Sequence, residues 1–364
     1  MEFTAEHALA VRMRSLLLTP GKRLGSVAEI VDWFGALQAQ DMASGLWSLG
    51  VRLPGSTRGD IDAALERREA IRTWPMRGTV HLIPGADAHW MLELMGVRAL
   101  AGAAKRRELL GLSEQVADKA VEVLGAALQG GKRMTRAECL AALIDGGVEV
   151  SGQLGYHLLW YASQQGVTCI APHLGKEQTF VLLDEWVPEP NRPSRDEALA
   201  LIAHRYFRSH GPATRQDLAR WTGLTLTDCK KAIALAGDKL TTVSVEGAEM
   251  YVDPEVLEPG PKALDDWAAL PGFDEYMLGY KDRAMMLDEG HLAAVVPGGN
   301  GIFQSTLVEK GRVVATWKRT LTKKAVAVEI FPLVPLKPVA RKRAEAALEP
   351  YACFVELPLK ITWS

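Results

Sequence analysis

Along this chain, hydrophobic residues switch between a helical period of three to four and a strand period of two, and the same order of elements recurs three times. Each time, short helices precede two strand-like runs separated by turn residues. The paired runs lie at 71–74 and 79–83, within 167–183, and at 240–245 and 249–252. Short helices followed by a β-hairpin are typical of a winged helix-turn-helix, so the pattern predicts three winged-helix segments in tandem.

Capping boxes support the helix assignments. Three helices are introduced by Thr-Arg, one further residue and an acid, with the Thr and acid at 57 and 60, 135 and 138, and 214 and 217. In a capping box the Thr hydroxyl accepts from the backbone N–H three residues on, and the acid accepts from the N–H of the Thr. We therefore expect a helix to begin at or directly after each of these Thr residues.

The remaining pattern assigns further elements. Helices are expected at 6–18, 27–37, 58–66, 86–128 (with a second segment opening at 112–113), 135–144, 153–165, 195–209, 215–222 and 226–236, and an extra strand at 46–53. Proline-rich linkers are expected at 187–193 and 254–261. From 270 onward the chain predicts strands at 302–308, 312–318 and 325–331, a helix at 339–348 and a closing strand at 353–357.

These elements define an α+β protein with four domains. The predicted boundaries are 1–84 for the first winged helix with the candidate catalytic loop, 85–187 for a helical connector and the second winged helix, 188–258 for the third, and 259–364 for a small β-rich domain. From the residues alone, this last domain is either a sheet or a barrel.

Composition narrows the class of protein. The chain has 364 residues, of which 48% are apolar and 24% charged, as in an ordinary globular protein. No apolar run approaches the roughly 20 residues that span a bilayer, and the first residues lack the features of a signal peptide, so we expect a cytoplasmic protein with no membrane partner. The four cysteines are far apart, and they are expected to be reduced and buried. The histidines show no metal-ligand spacing, so neither a metal nor another cofactor is expected.

Net charge gives a mixed signal about nucleic acid. A formal charge of −2 argues against DNA binding, which normally requires a basic surplus. Between 277 and 345, however, twelve Lys and Arg residues stand against six acids. A local surplus of this kind can steer DNA even when the whole chain is acidic, although solvated surface charge is the alternative interpretation.

Gln38 and Gln40 are the candidate catalytic residues. Two Gln side chains at i and i+2 in extended chain point to the same side, where their amides can hold a water molecule and a polar substrate atom. Taken alone the pair is weak, because Gln-x-Gln also occurs in ordinary polar loops.

The context of this pair adds a resemblance. The relevant segments are 37–40 (Leu-Gln-Ala-Gln), 77–82 (Arg-Gly-Thr-Val-His-Leu), 270–283, 300–301 and 311–319. Together and in this order they resemble the AlkZ family of bacterial DNA glycosylases, which are winged-helix DNA-binding proteins, over about residues 5 to 355. Position 40 is Gln, so the chain is similar to the Gln-Φ-Gln branch of that family. Its Φ residue is Ala39, the smallest side chain that could fill the position.

The resemblance implies a fold, a reaction and a set of site residues. The implied fold is three tandem winged helices closed by a C-terminal β-barrel, forming a C-shaped body around duplex DNA. The implied activity is hydrolysis of the N-glycosidic bond of N7-alkylated purines, including bulky adducts and interstrand cross-links, by a monomer that acts on DNA containing alkylated guanine. Gln38 and Gln40 are then catalytic. The residues expected at the DNA are Arg77, His81, Lys281, Arg283, Arg312, Lys318, Arg319 and Lys323.

Other interpretations of these residues stay open. His81 on a strand could be a satisfied structural histidine, and Arg283, Arg312 and Arg319 could be ion-paired within the C-terminal domain. Asp274 and Glu275 are expected to be structural, although a paired-carboxylate hydrolase would also use two such neighbours. The alternative function is a non-catalytic transcription regulator, but such proteins usually have one winged helix per chain and dimerise on palindromes.

Overall fold

The computed structural model describes residues 1–257, 266–299 and 301–364 as an α+β protein. Asn300 and the second half of the predicted linker at 254–261 lie outside the described residues. The chain divides into two compact units. The larger unit comprises Met1–Asp62 and Leu199–Ser364, and the smaller unit comprises Ala63–Ala198. The four domain boundaries drawn from the sequence stay a prediction.

The helices follow the sequence pattern closely in most places. In chain order they are α1 (Ala5–Ser15), α2 (Val27–Phe34), α3 (Met42–Gly50), α4 (Arg58–Glu66), α5 (Ala88–Met91), α6 (Val97–Leu109), α7 (Glu114–Ala127), α8 (Arg136–Asp145), α9 (Leu154–Gln164), α10 (Leu183–Trp186), α11 (Arg195–His210), α12 (Arg215–Thr222), α13 (Leu226–Ala236), α14 (Glu275–Leu278), α15 (Leu292–Val295) and α16 (Pro338–Phe354). A π-helical segment, Leu92–Gly96, joins α5 to α6.

The strands are shorter and mostly form hairpins. They are β1 (Glu2–Phe3), β2 (Leu37–Gln38), β3 (Ile71–Met76), β4 (Thr79–Ile83), β5 (Met134–Thr135), β6 (Thr168–Leu174), β7 (Glu177–Leu182), β8 (Thr241–Val245), β9 (Ala248–Val252), β10 (Trp267–Leu270), β11 (Ser305–Glu309), β12 (Arg312–Leu321), β13 (Val326–Pro332) and β14 (Leu359–Trp363).

The predicted capping boxes are confirmed. Thr135 and Thr214 each cap a helix through both reciprocal hydrogen bonds, with Glu138 and Asp217 as the acids. At α4 the N–H of Thr57 donates to Asp60 over 2.8 Å, and the N–H of Asp60 donates back to Thr57 over 3.2 Å. Side chains thus satisfy two backbone N–H groups at each of these helix starts, which fixes where each helix begins.

In the smaller unit, helices pack against an antiparallel sheet. Its strands run in the order β4, β3, β6, β7, β5. α7 packs on α8 and α9, and α9 packs on β3 and β6. Trp74, Leu158 and Phe180 lie fully buried in the resulting core. The segment from α8 through α9 to the β6–β7 hairpin therefore has the predicted order of elements.

In the larger unit, a second such run is formed by α11, α12, α13 and the hairpin of β8 and β9. β1 adds to this hairpin as a parallel partner of β8. Tyr206 and Trp221 are fully buried at its centre, with ring centroids 5.2 Å apart. The predicted bounds 215–222 and 226–236 agree with α12 and α13 residue for residue.

The closed barrel expected for the C-terminal region is wrong. Among the described residues, β10 to β14 form an open five-stranded sheet with β10 and β14 at its edges. α16 packs against β10 and β14, and the ring of Tyr351 in α16 lies 5.3 Å from that of Trp317 in β12. Because a helix already covers the apolar face, the sheet does not have to close on itself to bury that face. The helix also serves as the crossover that makes β13 and β14 parallel.

Two further element predictions are wrong. Residues 46–53, expected to form a strand, lie mostly in α3, where Ser44 to Gly50 are all buried. A helix buried on every side has no polar face, so its sequence lacks the helical period. Residues 353–357, expected to form the closing strand, instead end α16 and turn, and the strand follows at Leu359–Trp363.

The cysteine prediction is correct at three positions. Cys139, Cys169 and Cys229 are buried free thiols, whereas Cys353 is exposed. Burial raises the pKa of Cys139 and Cys169 to about 12 and that of Cys229 to about 11, so these thiols stay protonated and unreactive. Within the described parts of the chain, no helix is both long enough and apolar enough to cross a bilayer.

Candidate active site

The Gln38–Gln40 loop connects β2 to α3. Gln38 is the last residue of β2 and is buried, whereas Gln40 is exposed. Asp41 follows as the N-cap of α3, where its carboxylate accepts from the backbone N–H of Ser44 over 3.3 Å and from its hydroxyl over 2.5 Å. The loop is therefore held at one end by a strand and at the other by a capped helix.

Ala39 faces the protein interior. It is fully buried, and a Cβ built on Gly45 of α3 would lie only 2.8 Å from the Ala39 Cβ. A glycine at 45 thus allows the loop and the first turn of α3 to approach this closely. The close packing also accounts for the small Φ residue, since a larger side chain at 39 would meet α3.

A buried carboxylate holds the backbone of this loop. The N–H of Gln38 donates to Glu275 Oε1 over 3.1 Å. The second oxygen, Oε2, accepts from Trp221 Nε1 over 2.8 Å and lies 3.2 Å from His210 Nε2. We call Glu275, His210 and Trp221 the Glu275 cluster. The three residues are at most 1% exposed, and both carboxylate oxygens are engaged.

The hydrogen bonds of His210 define how the cluster carries charge. Ser209 Oγ lies 2.7 Å from the carbonyl of Arg205, to which its hydroxyl donates, so it accepts from His210 Nδ1–H over 2.8 Å. One proton is then shared between His210 Nε2 and Glu275 Oε2. The pair has no net charge whichever atom carries that proton, which makes its complete burial tolerable.

The neighbouring carboxylate, Asp274, forms an ion pair within the core. Its two oxygens accept from Arg52 Nη1 over 2.8 Å and from Nη2 over 3.0 Å. Ser48 donates to the same carboxylate over 3.0 Å, and the backbone N–H of Tyr276 donates over 2.9 Å. Asp274 and Glu275 therefore act as the structural residues expected from the sequence, which leaves the paired-carboxylate hydrolase without its site.

Arg319 lies beside the Gln38–Gln40 loop. Its guanidinium donates to Asp41 over 3.0 Å and to the Ser44 hydroxyl over 3.3 Å, and it lies 5.8 Å from the Tyr351 ring centroid. Arg319 is thus ion-paired, and it connects β12 to the cap of α3.

Arg283 and Arg312 are also engaged within the fold. Arg283 Nε donates to the Met277 carbonyl over 2.6 Å, and its guanidinium lies 5.1 Å from the Phe303 ring centroid. Burial, reinforced by nearby Arg220, lowers the pKa of Arg283 to about 10. Arg312 pairs with Asp288 and donates to the Met285 carbonyl over 3.0 Å.

The three lysines of the predicted set are exposed. Lys281 follows α14; its backbone N–H donates to Asp217 over 2.7 Å, and the residue is exposed. Lys318 lies on β12 and Lys323 in the turn after it. Because side chains alternate along a strand, Lys318 and Arg319 face opposite sides of the sheet. The local basic surplus is therefore divided between two faces.

Arg77 and His81 lie together in the smaller unit. Arg77 begins the turn between β3 and β4 with a φ of 54°. Its guanidinium lies 3.1 Å from His81 Nε2, while His81 Nδ1 lies 2.8 Å from the Thr79 carbonyl. The carbonyl requires a proton on Nδ1, so Nε2 accepts from Arg77. His81 is fully buried and neutral in this arrangement, so it orients Arg77.

Sequence reasoning missed His210 and Trp221, which complete the Glu275 cluster. They lie 65 and 54 residues from Glu275. No spacing in the sequence connects them, because the contacts depend on how α11 and α12 pack against α14.

Three comparisons with known proteins agree on a family of DNA glycosylases. The profile of the family described as "DNA glycosylase AlkZ-like" matches residues 31–354. A curated protein of Streptomyces sahachiroi named "Interstrand DNA cross-link repair glycosylase" is 28% identical over 381 residues, covering 99% of this chain and all of the relative. The solved structure of Streptomyces sahachiroi DNA glycosylase AlkZ matches with a TM-score of 0.81 and 26% identity, and each chain is covered completely.

These matches make the protein a DNA glycosylase. More particularly, the chain belongs to the AlkZ-like DNA glycosylase family. None of the three matches supports the alternative function of a transcription regulator.

Proposed function

We propose that this glycosylase excises N7-alkylated purines from duplex DNA, including bulky adducts and interstrand cross-links. The observation that carries this proposal is the Gln38–Gln40 loop, which Glu275 and the Asp41 cap hold in the larger unit. The name of the Streptomyces relative, which specifies cross-link repair, gives independent support.

The chemistry of the substrate suits a pair of neutral amides. Alkylation at N7 makes the base cationic, so the N-glycosidic bond is already weak and the leaving base needs no protonation. The oxygen of a water molecule bonds to C1′, the C1′–N9 bond breaks, its electron pair neutralises the departing base, and one water proton passes to solvent. The enzyme must mainly position the water and stabilise an oxocarbenium-like centre, which is preorganisation.

In this mechanism Gln38 and Gln40 hold the attacking water through their side-chain amides. The Glu275 cluster and the Ala39–Gly45 contact fix the backbone between them. Undamaged guanine is spared, because its neutral glycosidic bond is too strong for a catalyst without a strong acid or base.

The proposed winged helices, oligomeric state and DNA contacts are those predicted from the sequence. One winged helix consists of α8, α9 and the β6–β7 hairpin. A second consists of α11 to α13 and the β8–β9 hairpin, and a third lies in the N-terminal segment. The protein acts as a monomer with no metal or other cofactor, and duplex DNA contacts Arg77, Lys281, Arg283, Arg312, Lys318, Arg319 and Lys323.

Excision from duplex DNA containing N7-methylguanine tests the proposal. We expect abasic sites to appear, and alkali should cleave the strand at those sites. Borohydride should trap no covalent protein–DNA adduct, because the proposed mechanism uses water and no Schiff base. A robust trapped adduct would overturn the water mechanism, and sequence-specific footprints without base release would indicate a regulator.

A further inference from the structure

A cleft of about 690 Å³ opens in the smaller unit between α6, α9 and the β3–β4 turn. Arg77 lines it from the turn, Arg106 from α6 and Arg136 from the start of α8, while Tyr156, His157 and Trp160 line it from α9. Its volume lies within the range of small-molecule sites. Gln38 and Gln40 lie in the other unit, and of the residues that line this cleft only Arg77 belongs to the proposed DNA contacts.

The cleft is strongly cationic. Three of its lining residues are arginines, and none of the described residues that line it is acidic. Arg106 donates to Gln153 at the start of α9, and Arg136 lies 5.3 Å from the Tyr156 ring centroid. Since a guanidinium has five N–H donors, Arg106 and Arg136 keep donors for an anion such as a phosphate.

Aromatic rings form one wall of the cleft. Residues 153, 156, 157 and 160 recur at helical spacing, so they share one face of α9. Tyr156 is 38% exposed, which is high for a large aromatic residue. The rings of His157 and Trp160 are tilted by 32°, with centroids 5.3 Å apart. Exposed aromatic faces beside cations are the usual platform for stacking a nucleobase.

One buried polar atom points to a missing ligand. His157 is only 9% exposed, and its Nε2 has no hydrogen-bond partner among the described residues. Burial, together with Arg107 and Arg106, lowers the pKa of His157, so the imidazole is neutral and offers one donor and one acceptor. A buried nitrogen without a partner costs free energy that a bound polar group would recover.

We propose that this cleft binds one nucleotide, with its base stacked on Tyr156, its phosphate held by Arg106 and Arg136, and a polar atom bonded to His157 Nε2. Arg77, oriented by His81, adds a further positive charge to the lining. The nucleotide is either a unit of a single DNA strand or a free mononucleotide. α6 covers part of the α9 face, so the cleft has room for a group the size of one nucleotide. It fits such a group better than it would fit a whole duplex.

Binding of undamaged ligands tests this site separately from excision. We would titrate the full-length protein with thymidine monophosphate by calorimetry, and with a fluorescent short oligothymidylate by anisotropy. Loss of one stacked base typically weakens binding between about 5-fold and about 150-fold, which is the effect expected for Tyr156→Ala. Tyr156→Phe keeps the ring and should bind as the wild type does.

A charge-matched pair of variants tests the phosphate. Arg136→Gln should weaken binding and lower the slope of log affinity against log salt by about 0.7, the value for one phosphate contact on a single strand. Lys119→Gln removes the same charge from the exposed surface of α7 and should have no such effect. Thermal unfolding of each variant shows whether the fold is retained.

The outcomes separate the two sources of the nucleotide. If the variants weaken binding of the oligonucleotide, the site accepts a unit of a DNA strand, and if they weaken only the monophosphate, it accepts a free nucleotide. The proposal is overturned if folded Tyr156→Ala and Arg136→Gln bind both ligands as Lys119→Gln does. It is also overturned if these variants lose only sequence-specific duplex binding, since α9 would then read a groove.

Discussion

The backbone N–H of Gln38 donates a 3.1 Å hydrogen bond to the buried carboxylate of Glu275. The same carboxylate accepts from Trp221 and lies within hydrogen-bond distance of His210, so the position of the candidate catalytic loop is tied to α11, α12 and α14. A loop held this way keeps its amides in place before the substrate arrives, which is what preorganised catalysis requires.

Glu275→Gln tests whether this tie matters for catalysis. The amide NH₂ group would then face the N–H of Gln38 or of Trp221, where a carboxylate oxygen now accepts. Leaving that donor without an acceptor should cost about 1–3 kcal/mol of free energy. We expect kcat for base excision to fall about tenfold, the change that 1.4 kcal/mol produces, while KM and DNA affinity change little. Single-turnover and steady-state kinetics on N7-methylguanine DNA measure this split.

Glu289→Gln is the matched control, because Glu289 is exposed in the same unit. It should leave kcat, KM and thermal stability unchanged. If Glu275→Gln lowers thermal stability but leaves kcat intact, the Glu275 cluster serves only the fold, and its role in positioning Gln38 is wrong.

Substitution of the glutamines themselves tests the proposed water site. Gln38→Ala and Gln40→Ala should each cost about 2–4 kcal/mol of transition-state stabilisation, the scale of one preorganised hydrogen-bond donor. DNA affinity should stay near the wild-type value, because phosphate contacts dominate binding. Gln129→Ala, an exposed glutamine of the other unit, is the control. Wild-type excision rates in both site variants would remove these residues from the mechanism.

The sequence predicts helices best where local chemistry marks their ends. α12 begins after the Thr214 capping box and ends at Gly223, which adopts the left-handed conformation, and its bounds were predicted residue for residue. The pattern predicts a strand at 46–53, although most of these residues lie in α3, because a helix buried on every side shows no polar face. The C-terminal sheet shows a similar limit. Its apolar face is covered by α16 and not by closure into a barrel, and the strand pattern alone does not distinguish these two arrangements.

The candidate site was predictable only in part. The Gln-Ala-Gln segment is visible in the sequence, and the structure shows how a cap at Asp41 and a glycine at 45 hold it. The partners of Glu275 were not predictable, since His210 and Trp221 are distant in sequence and ordinary in type. Charge counting also has a limit: it places Lys318 and Arg319 in one basic cluster, although the pleat directs them to opposite faces of the sheet.

Salt dependence of binding tests which cations contact DNA. Lys318 and Lys323 are exposed, whereas Arg312 is paired with Asp288. Replacing both lysines by Gln should weaken binding to all duplexes alike and lower the slope of log affinity against log salt by about 0.9 for each lost phosphate contact. Arg312→Gln should change the slope less, because its guanidinium is already engaged. Affinity measured over a salt series decides this, and an unchanged slope in the lysine variant would place the DNA elsewhere.

The buried pair of Arg52 and Asp274 should contribute strongly to stability only while both partners are present. Both side chains are at most 1% exposed, and Asp274→Asn leaves the guanidinium without its counter-charge, so we expect the free energy of unfolding to fall by about 3–5 kcal/mol. The exposed pair of Arg58 and Asp62, at 3.6 Å, is the control, and Asp62→Asn should cost no more than about 0.5 kcal/mol. Urea unfolding of both variants measures the difference. Equal, small losses would mean that water reaches Arg52 once Asp274 is changed, and that the core beneath the candidate loop is less tightly closed than the buried pair indicates.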